Sequence, residues 1–328
     1  MSTKSILLLD GALGTQLENI IEEQSDIQPK NDPLWSTKVL IKRPDLIAKV
    51  HDRYLESGSQ ILTTATYQAS FSSLQRYANC FSIEEATKLW KRAIKVAKSC
   101  IEEHLSRSTK SVESPHYVCG SVGPYGAYLA DGSEYTGDYD DFSNLKLDSY
   151  HYPLVNYMVL DDNVDIVGLE TIPNFREFKV LLNLMLKLIR YYKKEKKFYL
   201  SFSCRDGESL CDGTLIDKVM GYLNTKLSVN RVLRENLIAI GCNCVNQEIV
   251  LTVIDSIQDH NYHGYPLIVY PNLGFIYSRE HQQYEKHRDL DKWVKLSELW
   301  LNKGVKYIGG CCSTGPEEIN ALMNILLK

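Results

Sequence analysis

The sequence predicts an α/β protein with a single domain, a (β/α)8 TIM barrel that spans residues 1–328. Two observations lead to this prediction. Short apolar runs alternate eight times with segments of helical periodicity, as in parallel strands joined by crossover helices. Most of the runs are nearly continuous, which is typical of strands buried on both faces. A doubly wound open sheet is the alternative, but the chain has no G-x-G-x-x-G motif and the count of eight favours the barrel.

The predicted strands are bounded by polar or glycine-containing segments, and the predicted helices lie between them. In chain order the strands are Ile6–Leu9, Ile61–Thr64, Tyr117–Ser121, Asp165–Leu169, Phe198–Ser203, Leu237–Cys242, Leu267–Tyr270 and Lys306–Ile308. The helices are Asp45–Glu56, Ser82–Leu105, Leu145–Leu160, Asn174–Tyr192, Leu215–Leu223, Gln247–Ile257, Leu290–Asn302 and Glu317–Leu327. Ser82 and Glu85 have the spacing of a capping box, which predicts a helix start there.

Three segments interrupt the alternation. Asn19–Lys42 follows the first strand and is predicted to be a long loop that covers the barrel mouth. Gly274–Arg288 follows the seventh strand and should lie at the same end. Ser106–Pro115 is polar, and we expect it at the opposite end of the barrel.

The composition excludes several classes of function. A net charge of −4 and a pI near 6.1 give no sign of a nucleic-acid partner. No apolar stretch approaches the length of a membrane span, and the apolar run near the N-terminus is too short for a signal peptide. Nine cysteines, an odd number, argue against a complete disulfide framework. We therefore expect a cytoplasmic protein, in which cysteine clusters more often bind metals or act in catalysis.

Four cysteines follow two of the predicted strands. Cys242 and Cys244 end the sixth strand, and Cys311 and Cys312 follow Gly309-Gly310 after the eighth. In a barrel the carboxyl ends of all strands meet at one face, so these thiols should converge. A vicinal disulfide or inert packing would explain either pair alone. The two pairs together favour a zinc site, because soft thiolates suit Zn2+.

A zinc site with three cysteines and one open position has a specific chemistry. Three thiolates carry more negative charge than the ion carries positive charge, which makes it a poor Lewis acid toward carbonyls. A thiol placed in the open position still loses its proton near neutral pH and stays nucleophilic. The pattern therefore indicates alkylation of sulfur rather than hydrolysis.

Two carboxylates also end predicted strands. Asp10 follows the first strand and Glu170 follows the fourth. Together they could bind the ammonium group of an amino acid substrate. For Asp10, capping of the next helix is an equally good interpretation, whereas glutamate is a poor N-cap.

These motifs, taken together, resemble the homocysteine S-methyltransferase family over essentially the whole chain. The matching segments are Asp10–Thr15 (DGALGT), Pro33–Ser36 (PLWS), Thr63–Ala69 (TTATYQA), Gly120–Ala127 (GSVGPYGA), Glu170-Thr171, Gly241–Cys244 (GCNC) and Gly309–Cys312 (GGCC). The segment Tyr128–Tyr135 is most similar to the branch that uses S-methylmethionine or S-adenosylmethionine, and to its fungal members.

The resemblance implies a zinc-dependent barrel enzyme that makes methionine from homocysteine and a sulfonium methyl donor. It assigns Cys244, Cys311 and Cys312 to the metal and excludes Cys242. It assigns the substrate-binding positions to a second set, namely Asp10, Thr64, Gly120, Ser121 and Glu170. No protein side chain beyond the metal site is implied to be catalytic.

The sequence indicates less clearly which residues bind the methyl donor. Tyrosine faces suit a sulfonium cation, and the candidates are Tyr67, Tyr125 and Tyr128. The family often has Ser and Glu where this chain has Leu273 and Phe275, which removes two polar groups. A betaine-type donor on the same barrel, or a non-catalytic zinc or thiol sensor, are the alternatives.

Overall fold

The computed structural model describes residues 6–30, 32–107, 115–139, 143–274, 277–278, 283–284 and 289–327. One parallel sheet contains all eight predicted strands, namely β1 (Leu7–Leu8), β2 (Ile61–Thr63), β3 (Tyr117–Val122), β4 (Ile166–Ile172), β5 (Lys197–Phe202), β6 (Leu237–Asn246), β7 (Leu267–Asn272) and β10 (Val305–Ile308). Between β7 and β10 lies a short antiparallel pair, β8 (Tyr277–Ser278) and β9 (Gln283–Tyr284). A parallel bridge between Leu9 and Ile61 joins β1 to β2 and closes the ring. The predicted barrel is therefore confirmed.

The eight predicted helices are present. Their ends differ from the predicted ones by three residues or fewer, except that the helix predicted to end at Leu223 continues to Val229. They are α3 (Pro44–Glu56), α5 (Ile83–Arg107), α7 (Asn144–Leu160), α8 (Phe175–Tyr192), α9 (Ile216–Val229), α11 (Val250–Gln258), α12 (Leu290–Asn302) and α13 (Pro316–Leu326). Five shorter helices were not predicted, namely α1 (Leu13–Ile20), α2 (Ser36–Lys42), α4 (Phe71–Ala78), α6 (Tyr125–Leu129) and α10 (Arg231–Asn236). One or two turns give too little periodicity to be recognised in a sequence.

The predicted loops are partly corrected. Asn19–Lys42 is not a continuous loop, because α1 extends to Ile20 and Ser36–Lys42 is helical. Residues 108–114 of the segment Ser106–Pro115, and most of the segment Gly274–Arg288, lie outside the described residues. The capping box is confirmed, since the Ser82 hydroxyl accepts a hydrogen bond from the Glu85 N–H at 3.2 Å and the Glu85 carboxylate accepts one from the Ser82 N–H at 3.2 Å.

The core has two layers, one between the sheet and the helices and one inside the barrel. Leu8 packs toward the helices, whereas Leu7 and Leu9 contribute to the interior layer. Both faces of each strand are thus apolar, which explains the continuous apolar runs in the sequence. Cys242 belongs to the helix-facing layer and is fully buried, so its side chain is part of the packing. Among the described helices none is both long and apolar enough to span a bilayer.

Candidate metal and substrate site

Three of the four cysteines at the strand ends come together. The Sγ atoms of Cys244, Cys311 and Cys312 all lie within 4.8 Å of one another, and those of Cys244 and Cys312 are 3.8 Å apart. All nine cysteines are free thiols, so Cys311 and Cys312 do not form the vicinal disulfide that was an alternative. A hydrogen bond with the Cys244 thiol holds the pKa of Cys312 well below its ordinary value.

The end of β10 is placed by close backbone contacts with neighbouring strands. The Gly310 N–H donates to the Asp10 carbonyl at 3.1 Å, and the Cys311 N–H donates to the Pro271 carbonyl at 2.9 Å. A Cβ on Gly310 would lie only 2.1 Å from Oγ1 of Thr314, so this position requires glycine. The same Thr314 hydroxyl donates to the Cys311 carbonyl at 2.6 Å, which fixes the turn that carries both thiols.

The third thiol depends on an irregular strand end. The pairing of β6 with β7 shifts register between Asn243 and Asn246, and Cys244 has a φ of 52°. A non-glycine residue in this left-handed region costs about 1–2 kcal/mol. Bulges of this kind redirect side chains next to functional sites. Here the distorted residue is the one whose thiol faces Cys311 and Cys312.

Asn243 connects this strand end to that of β4, and sequence reasoning missed it. Its Oδ1 accepts hydrogen bonds from the Thr171 N–H at 2.8 Å and the Ser201 hydroxyl at 2.7 Å, and its Nδ2 donates to Thr171 Oγ1 at 2.8 Å. Thr171 also has a left-handed φ, 56°. Asn243 is only 1% exposed. It therefore holds the strained residue after Glu170 from the position next to Cys244. A polar residue between two cysteines at a strand end was the available signal.

Asp10 lies inside the cavity and does not cap a helix. Its Oδ2 accepts a hydrogen bond from the Thr63 N–H at 2.8 Å, and its Oδ1 accepts one from the Thr63 hydroxyl at 2.9 Å. The N-cap of α1 is Ala12, so the capping interpretation is wrong. Asp10 is 3% exposed, and burial raises its pKa to about 8, with the Glu170 charge adding to the shift.

Glu170 is the second buried carboxyl of the cavity. Its Oε1 accepts a short hydrogen bond from the Ser121 hydroxyl, and its Oε2 accepts one from the Tyr270 hydroxyl at 3.1 Å. It is 7% exposed, and burial raises its pKa to about 7 against the lowering effect of these two donors. An ammonium group bound here would restore the charged form of both carboxyls.

The thiols and the carboxyls open into one cavity of about 660 Å³, counted with its open mouth. Of the predicted substrate-binding residues, Asp10, Thr64, Ser121 and Glu170 line it. Gly120 does not line it. A side chain at this position would point toward Met158 and Val164, on the helix-facing side of the sheet. None of the described lining residues is Lys, Arg or His. The cavity is thus built for positively charged ligands.

The aromatic residues around the cavity differ in part from those predicted. Tyr67 lines the cavity, and so does Tyr135, which the sequence did not single out. Tyr125 and Tyr128 do not line it and pack instead with Tyr139 and Tyr150 in a separate cluster.

The loop after β7 is described only at its start. Leu273 is buried, and its carbonyl accepts a hydrogen bond from the Gln247 side chain at 2.7 Å. Phe275 lies outside the described residues.

The donor set suits a soft metal ion. With zinc–sulfur bonds of about 2.3 Å, a tetrahedral site places its sulfurs roughly 3.8 Å apart. Cys244 and Cys312 already have that separation. The three thiols therefore fit a metal site that leaves one position for another ligand.

Comparisons with known proteins agree with this geometry. The family model described as homocysteine S-methyltransferase matches residues 7–326. A homocysteine S-methyltransferase of Escherichia coli is 34% identical, with 98% of this chain and 96% of the relative covered. A Drosophila melanogaster betaine-homocysteine S-methyltransferase is 32% identical, with 98% and 94% covered. The crystal structure of the E. coli homocysteine methyltransferase MmuM in its metallated form has a TM-score of 0.78 at 33% identity, covering 98% of this chain and 96% of that one. The chain belongs to the homocysteine S-methyltransferase family.

Proposed function

We propose that this protein transfers a methyl group from a sulfonium donor, S-methylmethionine or S-adenosylmethionine, to the thiol of L-homocysteine, giving methionine, and that it uses zinc. One observation carries the proposal. Three converging thiols and two buried carboxyls share a cavity whose described lining contains no cationic side chain. A thiol-bearing amino acid and a cationic donor are the ligands that match both features.

The three cysteines Cys244, Cys311 and Cys312 would hold the zinc. When bound, zinc acidifies a thiol in its open position and leaves the sulfur electron-rich. The protein's own task is to present three thiolates at fixed separations. The turn after Gly310 and the bulge at Cys244 do this.

The carboxylates of Asp10 and Glu170 bind the homocysteine ammonium group in this proposal. Thr63, Ser121 and Tyr270 already donate hydrogen bonds to them, so their orientation is fixed before substrate arrives. Such preorganisation lowers the cost of holding two reactants in line. Thr64 and Ser121 also line the cavity and complete the homocysteine-binding surface in this proposal.

The donor is expected on the side of Tyr67 and Tyr135. The homocysteine sulfur attacks the donor methyl carbon, the carbon–sulfur bond of the sulfonium breaks, and its electron pair stays on the departing thioether. That thioether is neutral and needs no proton. A cavity without a His or Lys in its described lining is consistent with this reaction.

A donor panel tests the proposal. Purified protein is incubated with L-homocysteine and S-methylmethionine, S-adenosylmethionine or betaine, with and without a zinc chelator, and methionine is quantified. We expect methionine from a sulfonium donor and its loss after chelation, restored by added zinc. Full activity of verified zinc-free protein would contradict the zinc mechanism.

Betaine is the second candidate donor. One relative of comparable identity is named for betaine, and an anionic, tyrosine-lined cavity also suits a quaternary ammonium cation. If methionine forms with betaine but with neither sulfonium donor, betaine replaces the sulfonium compounds in the proposal.

A further inference from the structure

A rigid turn next to the cavity presents an acidic side chain that the homocysteine site does not use. Glu134 lies in the 3₁₀ turn Ser133–Tyr135 that follows α6. The Ser133 N–H and hydroxyl both donate to Asp131 Oδ1, at 3.0 and 2.5 Å, and the Gly137 N–H donates to the Ser133 carbonyl at 2.8 Å. The turn is therefore fixed at both ends.

The turn is also pressed against α6. A Cβ on Gly126 would lie 2.4 Å from the Glu134 nitrogen and 2.8 Å from its Cα, so only glycine permits this approach. The backbone of Glu134 thus has a defined position relative to β3 and to the wall of the cavity that β3 supports.

One oxygen of the Glu134 carboxylate is left without a partner among the described residues. This atom, Oε2, is buried. Burial raises the pKa of this carboxyl to about 7. An unpaired buried carboxylate oxygen is costly, so a position that retains one points to a ligand that supplies the missing positive charge.

The surroundings show which ligand that is. The charge of Glu134 acts on Tyr67 and Tyr135, and it contributes to raising the pKa of both hydroxyls. Both tyrosines line the cavity, and Glu134 in turn feels the charge of Cys312. Glu134 is not itself among the residues that line the cavity, but it directly precedes Tyr135, which is. It therefore lies next to the tyrosine side of the cavity, whereas Asp10 and Glu170 are part of the lining itself.

Resting on the proposed function, we propose that Glu134 is the counter-charge of the sulfonium methyl donor, attracting its cationic sulfur from beside the Tyr67 and Tyr135 rings that contact it. The sulfonium loses its positive charge during methyl transfer. A carboxylate that pairs with it stabilises the bound donor more than the transition state, so its loss weakens donor binding without slowing the bound complex. The neutral thioether product loses this attraction and dissociates.

The test compares Glu134→Gln with the wild type and with Asp131→Asn. The glutamine keeps the shape and removes the charge, whereas the asparagine removes a charge from the same segment and keeps an acceptor for Ser133. Initial rates at saturating homocysteine are measured with S-methylmethionine and with dimethylsulfonioacetate, a sulfonium without an ammonium group. Methyl iodide serves as an uncharged methyl donor, and bound zinc and thermal unfolding are recorded for each variant.

For Glu134→Gln we expect the KM of both sulfonium donors to rise at least tenfold, with kcat within about threefold. The KM of homocysteine, the methyl iodide rate and the zinc content should stay at wild-type values, and Asp131→Asn should resemble the wild type throughout.

Three results would overturn the assignment. An unchanged donor KM excludes the counter-charge role. An equal loss with methyl iodide shows a structural effect instead. A rise confined to S-methylmethionine shows that Glu134 binds the donor's ammonium group rather than its sulfur. A wild-type protein that uses no sulfonium at all overturns the proposed function itself, so the two failures are distinguishable.

Discussion

The two sides of the cavity are built differently. On the side of Asp10, Glu170 and the thiols, every carboxylate oxygen already accepts a hydrogen bond from the protein. On the side of Glu134, a buried carboxylate oxygen has no hydrogen-bond partner among the described residues. The first side is preorganised by the ends of barrel strands, and the second is a turn held against a short helix. In the proposed reaction, the first side would fix the reacting sulfur, while the second would be completed by its ligand.

Removal of a metal ligand should have the largest effect. In Cys311→Ser we expect loss of most bound zinc and a fall in kcat/KM of at least about 100-fold, because two thiols no longer hold the ion firmly. Metal analysis and methionine assays check this. The control is Cys80→Ser, which changes a cysteine that is not part of the cavity lining. A variant with full activity and no zinc would remove the metal from the mechanism.

Glu170→Gln tests the ammonium site. A hydrogen bond to a charged group contributes about 1.5–3 kcal/mol, so kcat/KM for homocysteine should fall about 10- to 100-fold. The matched substrate is 4-mercaptobutanoate, which is homocysteine without its amino group. It should be a poor substrate of both proteins, with little difference between them. Equal losses with both thiols would contradict the ammonium role.

Asn243→Ala breaks the connection between the two strand ends. It should lower zinc affinity and homocysteine affinity together, each by about tenfold or more. The reason is that Asn243 directly precedes Cys244 and also holds Thr171, the residue after Glu170. Zinc competition with a chromogenic chelator and steady-state kinetics measure the two effects. Asn246→Ala, on the same strand but outside the cavity lining, is the control. A change in only one affinity would show that the two strand ends are independent.

The pKa of Asp10 predicts how stability depends on pH. Its folded value is raised from 3.8 to about 8, so between these values the folded protein retains a proton that the unfolded chain releases. Stability from this group therefore falls as pH rises through that window, by about 1.4 kcal/mol per unit at most. Asp10→Asn removes this dependence. In urea unfolding of metal-free protein, the free energy of unfolding of Asp10→Asn should rise relative to that of the wild type from pH 5 to pH 8. A difference that stays constant over this range would refute the raised pKa of Asp10.

The smallest effect is expected from loss of a single aromatic ring on the donor side. Tyr67→Leu removes a cation–π partner worth about 0.5–1 kcal/mol and should raise the donor KM about two- to fivefold. Tyr67→Phe should retain the affinity because the ring remains. Tyr128→Leu serves as the control, since Tyr128 lies in the separate tyrosine cluster. Equal effects at positions 67 and 128 would show that the ring contacts are not specific.

The sequence by itself determined the barrel and most of the acidic and thiol groups of the cavity. Strands buried on both faces leave continuous apolar runs, and their carboxyl ends must meet at one face. Asp10, Glu170, Cys244, Cys311 and Cys312 could therefore be grouped from their positions at strand ends alone. Cys242, only two residues from Cys244, could not be separated from it by spacing, and its exclusion came from the resemblance to the family.

Only the tertiary structure decided the rest. Short helices such as α2 and α6 leave no readable period. The bulge at Cys244, the hydrogen bonds between Asn243 and Thr171, and the influence of the Glu134 charge on Tyr67 depend on residues that are distant in the chain. Gly120 is the opposite case, which the sequence alone could have decided. Neighbouring residues of a strand face opposite sides of the sheet, so Gly120 and Ser121 cannot both face the cavity. Local patterns fix which segments form strands, whereas the direction of a side chain at a strand end depends on neighbours that the sequence does not name.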